Sequence, residues 1–256
     1  PWFWFLGCLL VLTSLTKLDK PQIRSNPTQK AKNGFPLDMG EDSVDDMYFG
    51  CNKEMMQKVN TEYLKEEQKQ NKNAWNTARK FAKDKLIDKK DKDLTELHLQ
   101  AICVYTADGV YEDFNTAVRT NRSVYGSSFK FHSLHYLLTS AIQILNSNYH
   151  CHTTYRRISC SLTGNTCFEI KTCLGAYLKN YSCFSEKEQE VLIPPYEVFK
   201  ITDKIDGQGK YTKLRDCKVV YVLEIGCTYS FFVSFPCAML CSPTATTQQP
   251  VSKGFS

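Results

Sequence analysis

The sequence predicts an α+β fold, a helical first half followed by a strand-rich second half. Three observations carry this. Apolar residues recur at three- and four-residue spacing as far as Leu145, and beyond Thr166 they alternate in short runs. The two patterns also follow one another instead of interleaving as βαβ units. In chain order, Met55, Val59 and Tyr63 make one apolar face, and Trp75, Ala78, Ala82 and Leu86 make a second. The charge-rich piece Asp84 to Asp93 breaks the pattern. It resumes from Leu94 to Tyr105, before the turn at Asp108-Gly109. Ser133 to Leu145 is the cleanest helix, its apolar face (Leu134, Leu137, Leu138, Ala141, Ile142, Leu145) wide enough for a central core element. Thr166 to Leu174 alternates as a strand, Val191 to Pro195 is a short strand stopped by prolines, and Glu197 to Ile201 and Lys218 to Leu223 complete the set. No internal repeat, P-loop, dinucleotide-binding glycine fingerprint or zinc-protease helix occurs.

With 42% apolar and 23% charged residues among 256, the chain is neither disordered nor collagen-like. Twelve cysteines point to an oxidising compartment, and hence to the secretory pathway and the extracellular space or cell surface. The net charge of +5 concentrates in residues 52 to 93, where 12 Lys and Arg face 8 Asp and Glu. This reads as solvated helix faces, with no nucleic-acid partner. Residues 1–20 read as a signal peptide whose apolar h-region is Trp2 to Leu12. Neither a Met nor a basic n-region precedes it, so it is expected to be N-terminally incomplete. Residues 21–37 read as a polar linker and 38–228 as the folded domain. The tail, 229–256, is atypical. Its apolar run from Tyr229 to Leu240 is followed by polar residues, unlike a GPI signal, and is too short to span a bilayer. Membrane association is therefore left without a clear anchor.

The most suggestive local feature is Glu186-Lys-Glu-Gln-Glu190, running into a strand. In extended backbone Glu188 and Glu190 share a face, roughly 7 Å apart. Two such carboxylates can divide labour at a glycosidic centre. By spacing alone, a polar turn capping a strand describes them better. Cys151, Cys160, Cys167 and Cys173, with His150 and His152, match no zinc-finger spacing, and a secreted chain favours disulfides over a metal. Asn121-Arg-Ser and Asn180-Tyr-Ser are glycosylation sequons.

Cys167-Phe-Glu-Ile-Lys-Thr-Cys-Leu-Gly-Ala-Tyr177, followed by Ser185-Glu-Lys-Glu-Gln-Glu-Val-Leu-Ile-Pro-Pro-Tyr-Glu-Val-Phe199, closely resembles the vertebrate ecto-ADP-ribosyltransferases. Asp38-Met39, Ser43 to Cys51 and Phe129 to Leu145 look like further landmarks of that family, in its order. The resemblance implies a strand-rich NAD cleft and transfer of ADP-ribose from NAD, with NADP as an alternative, to arginine residues of acceptor proteins. No metal is implied. Nicotinamide is released. The family's site joins an Arg, a Ser-x-Ser and a Glu-x-Glu. Arg156 is similar to the first and would grip the NAD pyrophosphate or nearby ribose. Glu190 would be the catalytic glutamate, holding the nicotinamide ribose and stabilising an oxocarbenium ion. Glu188 would orient and help deprotonate the acceptor. Ser159, in Ser159-Cys160-Ser161, would stand for the middle motif. The family's Arg-Phe-Gly strand is missing after Arg157, so the cleft is shortened. Either coding sequence is skipped or this paralogue has lost part of its cleft. The alternative function is a non-catalytic secreted or cell-surface protein that keeps the fold. The resemblance also implies a Cys151–Cys173 disulfide and a partner for Cys51 near the C-terminus, Cys227 in preference to Cys217. The remaining cysteines are expected as buried small side chains or mispaired products.

Overall fold

A computed structural model describes residues 40–87, 89–107, 109–147, 150–158, 165–183 and 189–225, and the backbone of two short strands, β1 (Trp4–Leu6) and β2 (Leu12–Ser14). The helical half comes first. α1 (Asn52–Lys58) passes through a π-helical turn (Val59–Tyr63) into α2 (Leu64–Gln70), and α3 (Lys72–Ile87) follows. α4 (Glu96–Thr106) is buried along every residue from His98 to Thr106, which accounts for its largely apolar sequence. α5 (Tyr111–Thr120) has too short an apolar stripe, Phe114, Ala117 and Val118, to stand out by periodicity. α6 (His132–Leu145) is the central helix.

The strands form two sheets. β3 (His152–Ile158), β4 (Thr166–Thr172), β7 (Val198–Asp206) and β8 (Val219–Ile225) join β1 in a five-stranded sheet ordered β1-β7-β8-β4-β3. β5 (Ala176–Tyr177) and β6 (Gln189–Leu192) join β2 in a three-stranded sheet ordered β2-β6-β5. Only β4 and β8 pair in parallel. β7 and β8 extend past their predicted ends because each completes the other's hydrogen-bond ladder. The apolar N-terminal run, expected as a signal peptide, lends its backbone to the edges of β7 and β6. The expected tail, 229–256, lies outside the described residues.

Alternation along β6 fixes the layers. Leu192 belongs to the helical core, while Val191 and Ile193 pack with Phe168, Ile170, Phe199 and Leu223 of the larger sheet. The small sheet is thus sandwiched between helices and the large sheet. On the far face of the large sheet, Cys167, Leu214, Cys217 and Val220 form a satellite core under the 207–218 segment.

Buried polar groups pin the helices. The Glu67 carboxylate accepts the backbone N–H of Ser133 and, at 3.1 Å, that of Leu134. It caps α6, whose own N-cap residue Phe131 makes no side-chain cap. Burial pushes this carboxyl up to about 7, against the pull of the two N–H donors. The Tyr125 hydroxyl lies 2.7 Å from that of Tyr48, which lies 2.7 Å from His135 Nδ1; His135 Nε2 is 3.1 Å from the Val44 carbonyl. A carbonyl can only accept, so Nε2 carries the proton and Nδ1 accepts from Tyr48. Burial lowers His135 to about 4. Because the folded value is depressed, this group's contribution to stability is full above the ordinary histidine pKa and is lost as pH falls toward about 4. At about pH 5.5, where a free histidine is mostly charged, ¹⁵N spectra are expected to show His135 as the neutral Nε2–H tautomer. A charged imidazolium there would refute the network.

Candidate active site

β3 supplies two faces. Tyr155 and Arg157 point to the 207–218 segment: Arg157 pairs with Asp216 at 2.7 Å, and the Lys213 ammonium sits 5.6 Å from the Tyr155 ring centroid. Cys167–Cys217 ties that segment to β4. Thr154 and Arg156 point the other way, and Thr154 is fully buried. Arg156 opposes Phe168 across the β3–β4 ladder.

On β6, Glu190 shares the helix-facing side with Leu192 and is 7% exposed. The Ser182 hydroxyl donates to its Oε2 at 3.1 Å, and its main-chain carbonyl accepts the Leu178 N–H at 2.9 Å. The charges of Arg156 and Glu190 both bear on Tyr105 of α4. Burial holds that phenol well above its ordinary range, Tyr111 and the Glu190 charge push it further, and the Arg156 charge opposes them. A guanidinium from one sheet and a carboxylate from the other therefore act on a single buried phenol. Ser159 and Glu188 lie outside the described residues.

A second buried carboxylate, Glu197, was legible only as part of a strand. It accepts the Thr172 hydroxyl and the N–H groups of Cys173 (2.6 Å) and Leu174 (3.1 Å). It thereby shapes the turn that leads from β4 to β5, beside β6. Gly175 in this turn has no room for a side chain: a Cβ would lie 2.7 Å from Thr172 Oγ1 and 3.2 Å from the Leu192 carbonyl. Glu197 follows the Pro194-Pro195 corner, where its N–H donates to the Pro194 carbonyl at 3.2 Å.

Cys151–Cys173 covers the same turn, and Cys103–Cys183 links α4 to the segment before β6. Cys103 and Cys183, expected as buried small side chains or mispaired products, are instead bonded to each other, and Cys167, for which a disulfide was expected, is bonded to Cys217. Cys217 is thus taken by Cys167 and is not the partner of Cys51, which is also disulfide-bonded. Cys227 lies outside the described residues. Among the described residues no cluster of His, Cys, Asp or Glu could hold a metal. The sequons differ in setting: Asn180 is exposed, Asn121 half-buried. A cavity of about 260 Å³, lined by residues such as Tyr63, Glu67 and His132, belongs to the helical layer, and neither Arg156 nor Glu190 lines it.

Fold and site together define a protein with a buried carboxylate and a half-buried guanidinium on two sheets beside a helical layer. The family description NAD:arginine ADP-ribosyltransferase matches residues 37–163 and 158–218. Human ecto-ADP-ribosyltransferase 4 is 32% identical over 254 residues, covering 83% of this chain and 78% of its own. Rat T-cell ecto-ADP-ribosyltransferase 1 is 32% identical over 228 residues, 76% of this chain and 80% of its own. The crystal structure of the mono-ADP-ribosyltransferase ART2.2 superposes with a TM-score of 0.58 at 28% identity, over 76% of this chain and 97% of that one. The chain belongs to the NAD:arginine ADP-ribosyltransferase family.

Replacing Glu197 by Ala strands two part-buried N–H donors and a buried hydroxyl, a loss of about 3 kcal/mol. Urea unfolding is expected to show the midpoint fall at constant m. A midpoint unchanged from wild type would show that the turn does not depend on this carboxylate.

Proposed function

We propose that this chain transfers ADP-ribose from NAD, or NADP, to arginine side chains of extracellular or cell-surface proteins. The observation that carries the reading is Glu190 of a Glu-x-Glu sequence, buried on β6 with the Ser182 hydroxyl 3.1 Å away, in a chain whose β3 carries Arg156. Family membership supports it, as does the mouse relative named GPI-linked NAD(P)(+)--arginine ADP-ribosyltransferase 1, 30% identical over 75% of this chain. The related ART2.2 has been solved as a mutant in complex with NAD.

Arg156 binds the pyrophosphate or nearby ribose by charge-assisted hydrogen bonds. The bond from the ribose anomeric carbon to nicotinamide breaks, and its electron pair leaves with nicotinamide, neutralising the pyridinium. Glu190 stabilises the oxocarbenium ion left behind and holds the ribose hydroxyl. A guanidino nitrogen of the acceptor then bonds to the anomeric carbon, and Glu188 orients it and takes its proton. Ser159 belongs on the cofactor side of this scheme. The domain spans 38–228 behind a signal peptide and linker, with Cys51 bonded to Cys227 and glycans at Asn121 and Asn180.

The cleft is shortened after Arg157. β3 ends at Ile158 and β4 begins at Thr166, with Ile158 and Thr166 already paired. The two stretches that match the family description also overlap at residues 158–163. Loss of a positioning strand favours a second reading, a non-catalytic surface or secreted protein that keeps the fold. Each missing donor to the developing charge typically lowers turnover 10²- to 10³-fold.

Incubation with NAD and agmatine, a small guanidino acceptor, separates the two readings: weak transfer is expected from the chain as it stands, and robust transfer once the missing strand is restored. No transfer from the restored chain would favour the non-catalytic reading. In the active form, Glu190→Gln is expected to abolish both transfer and NAD hydrolysis, which share one transition state. Glu188→Gln is expected to suppress transfer while sparing hydrolysis. Equal loss of both reactions in Glu188→Gln would contradict the division of labour.

A further inference from the structure

The segment before β6 is fastened more heavily than a surface connection needs. The Lys179 ammonium pairs with Asp91 at 2.6 and 2.8 Å. The buried Tyr181 donates to Asp91 at 2.8 Å and accepts the N–H of Lys90 at 3.2 Å. Cys183 is bonded to Cys103 of α4, and its N–H donates to the Thr106 hydroxyl at 2.9 Å. Between these fixed points lies Ser182, itself buried, with its hydroxyl 3.1 Å from Glu190 Oε2.

We propose that Ser182 is a positioning residue for Glu190, its hydroxyl held in place by the clamps at Tyr181 and Cys183. The proposal rests on the reading of Glu190 given above. Burial disfavours an ionised carboxyl, yet a carboxylate that stabilises an oxocarbenium ion must carry its charge. A hydroxyl donor favours the charged form and fixes the side-chain rotamer. Because α4 carries both Tyr105 and Cys103, the same helix that lines the seam anchors the donor's segment. Ser182 is also the third residue of the Asn180 sequon, so its replacement removes a glycan acceptor together with the hydroxyl.

The test uses oxidised protein from a secretory host, in four variants. Ser182→Ala removes the hydroxyl and the sequon. Ser182→Thr keeps both, Asn180→Gln removes the sequon alone, and Glu190→Gln reports the role of the carboxylate. Ser182→Ala is expected to raise the ¹³C-detected titration midpoint of Glu190 by about one pH unit. It should also lower kcat for NAD cleavage about tenfold, with KM for NAD within about twofold. Ser182→Thr should restore both quantities, and Asn180→Gln should change neither. The carboxyl titration needs no turnover, so it decides the matter even in a chain of very low activity. If Ser182→Ala does not fold, the same titration on Ser182→Gly replaces it. An unmoved Glu190 midpoint overturns the proposal, and so does a Thr variant that folds but does not rescue. Full NAD cleavage by Glu190→Gln would overturn the reading of Glu190 instead, a result distinct from either.

Discussion

The structure depends on a small sheet held between a helical layer and a larger sheet, an arrangement that leaves Glu190 buried on the helix-facing side of β6 and Arg156 on the large sheet opposite Phe168. Arg156 and Glu190 both act on Tyr105 of α4. Charged groups away from water are tolerated only with partners close by, and Glu190 has the Ser182 hydroxyl at 3.1 Å. The helical layer is part of the site. α4 is tied through Cys103–Cys183 to the chain near Ser182, α6 packs against α4, and the Glu67 carboxylate closes the N-terminus of α6, where the N-cap residue Phe131 offers no side-chain cap.

The same logic explains the crosslinks. Cys103–Cys183 joins α4 to the approach to β6, while Cys151–Cys173 and Glu197 fix the turn between β4 and β5. Cys167–Cys217 and the Arg157–Asp216 pair hold the 207–218 segment against the outer face of β3 and β4. Arg157 faces away from the seam and Arg156 toward it, so adjacent arginines do different work simply because a strand alternates. The short connection from Ile158 to Thr166 leaves β3 and β4 as direct neighbours, with no strand interposed beside the seam.

Much of this was legible in the sequence, for identifiable reasons. The α6 stripe from Leu134 to Leu145 and the nearly all-apolar α4 are local patterns, and local patterns survive in one dimension. β3 left no such pattern because His152, Thr153, Thr154, Arg156 and Arg157 are polar on both faces, and a partner such as Asp216, which pairs with Arg157, comes from the distant 207–218 segment. The pairing of Cys167 with Cys217 and of Cys103 with Cys183 joins residues 50 and 80 positions apart, which spacing alone cannot decide. Glu190 stood out through its motif. Ser182 and Glu197 did not, since their roles are contacts made by the fold.

The central claim, that Arg156 and Glu190 face one NAD-binding seam, is tested most directly by amide hydrogen exchange with and without NAD. The account predicts that saturating NAD slows exchange together in residues 152–158 and 189–192, and in α4 around Tyr105. Protection confined to one of these strands, or found only elsewhere in the chain, would contradict it.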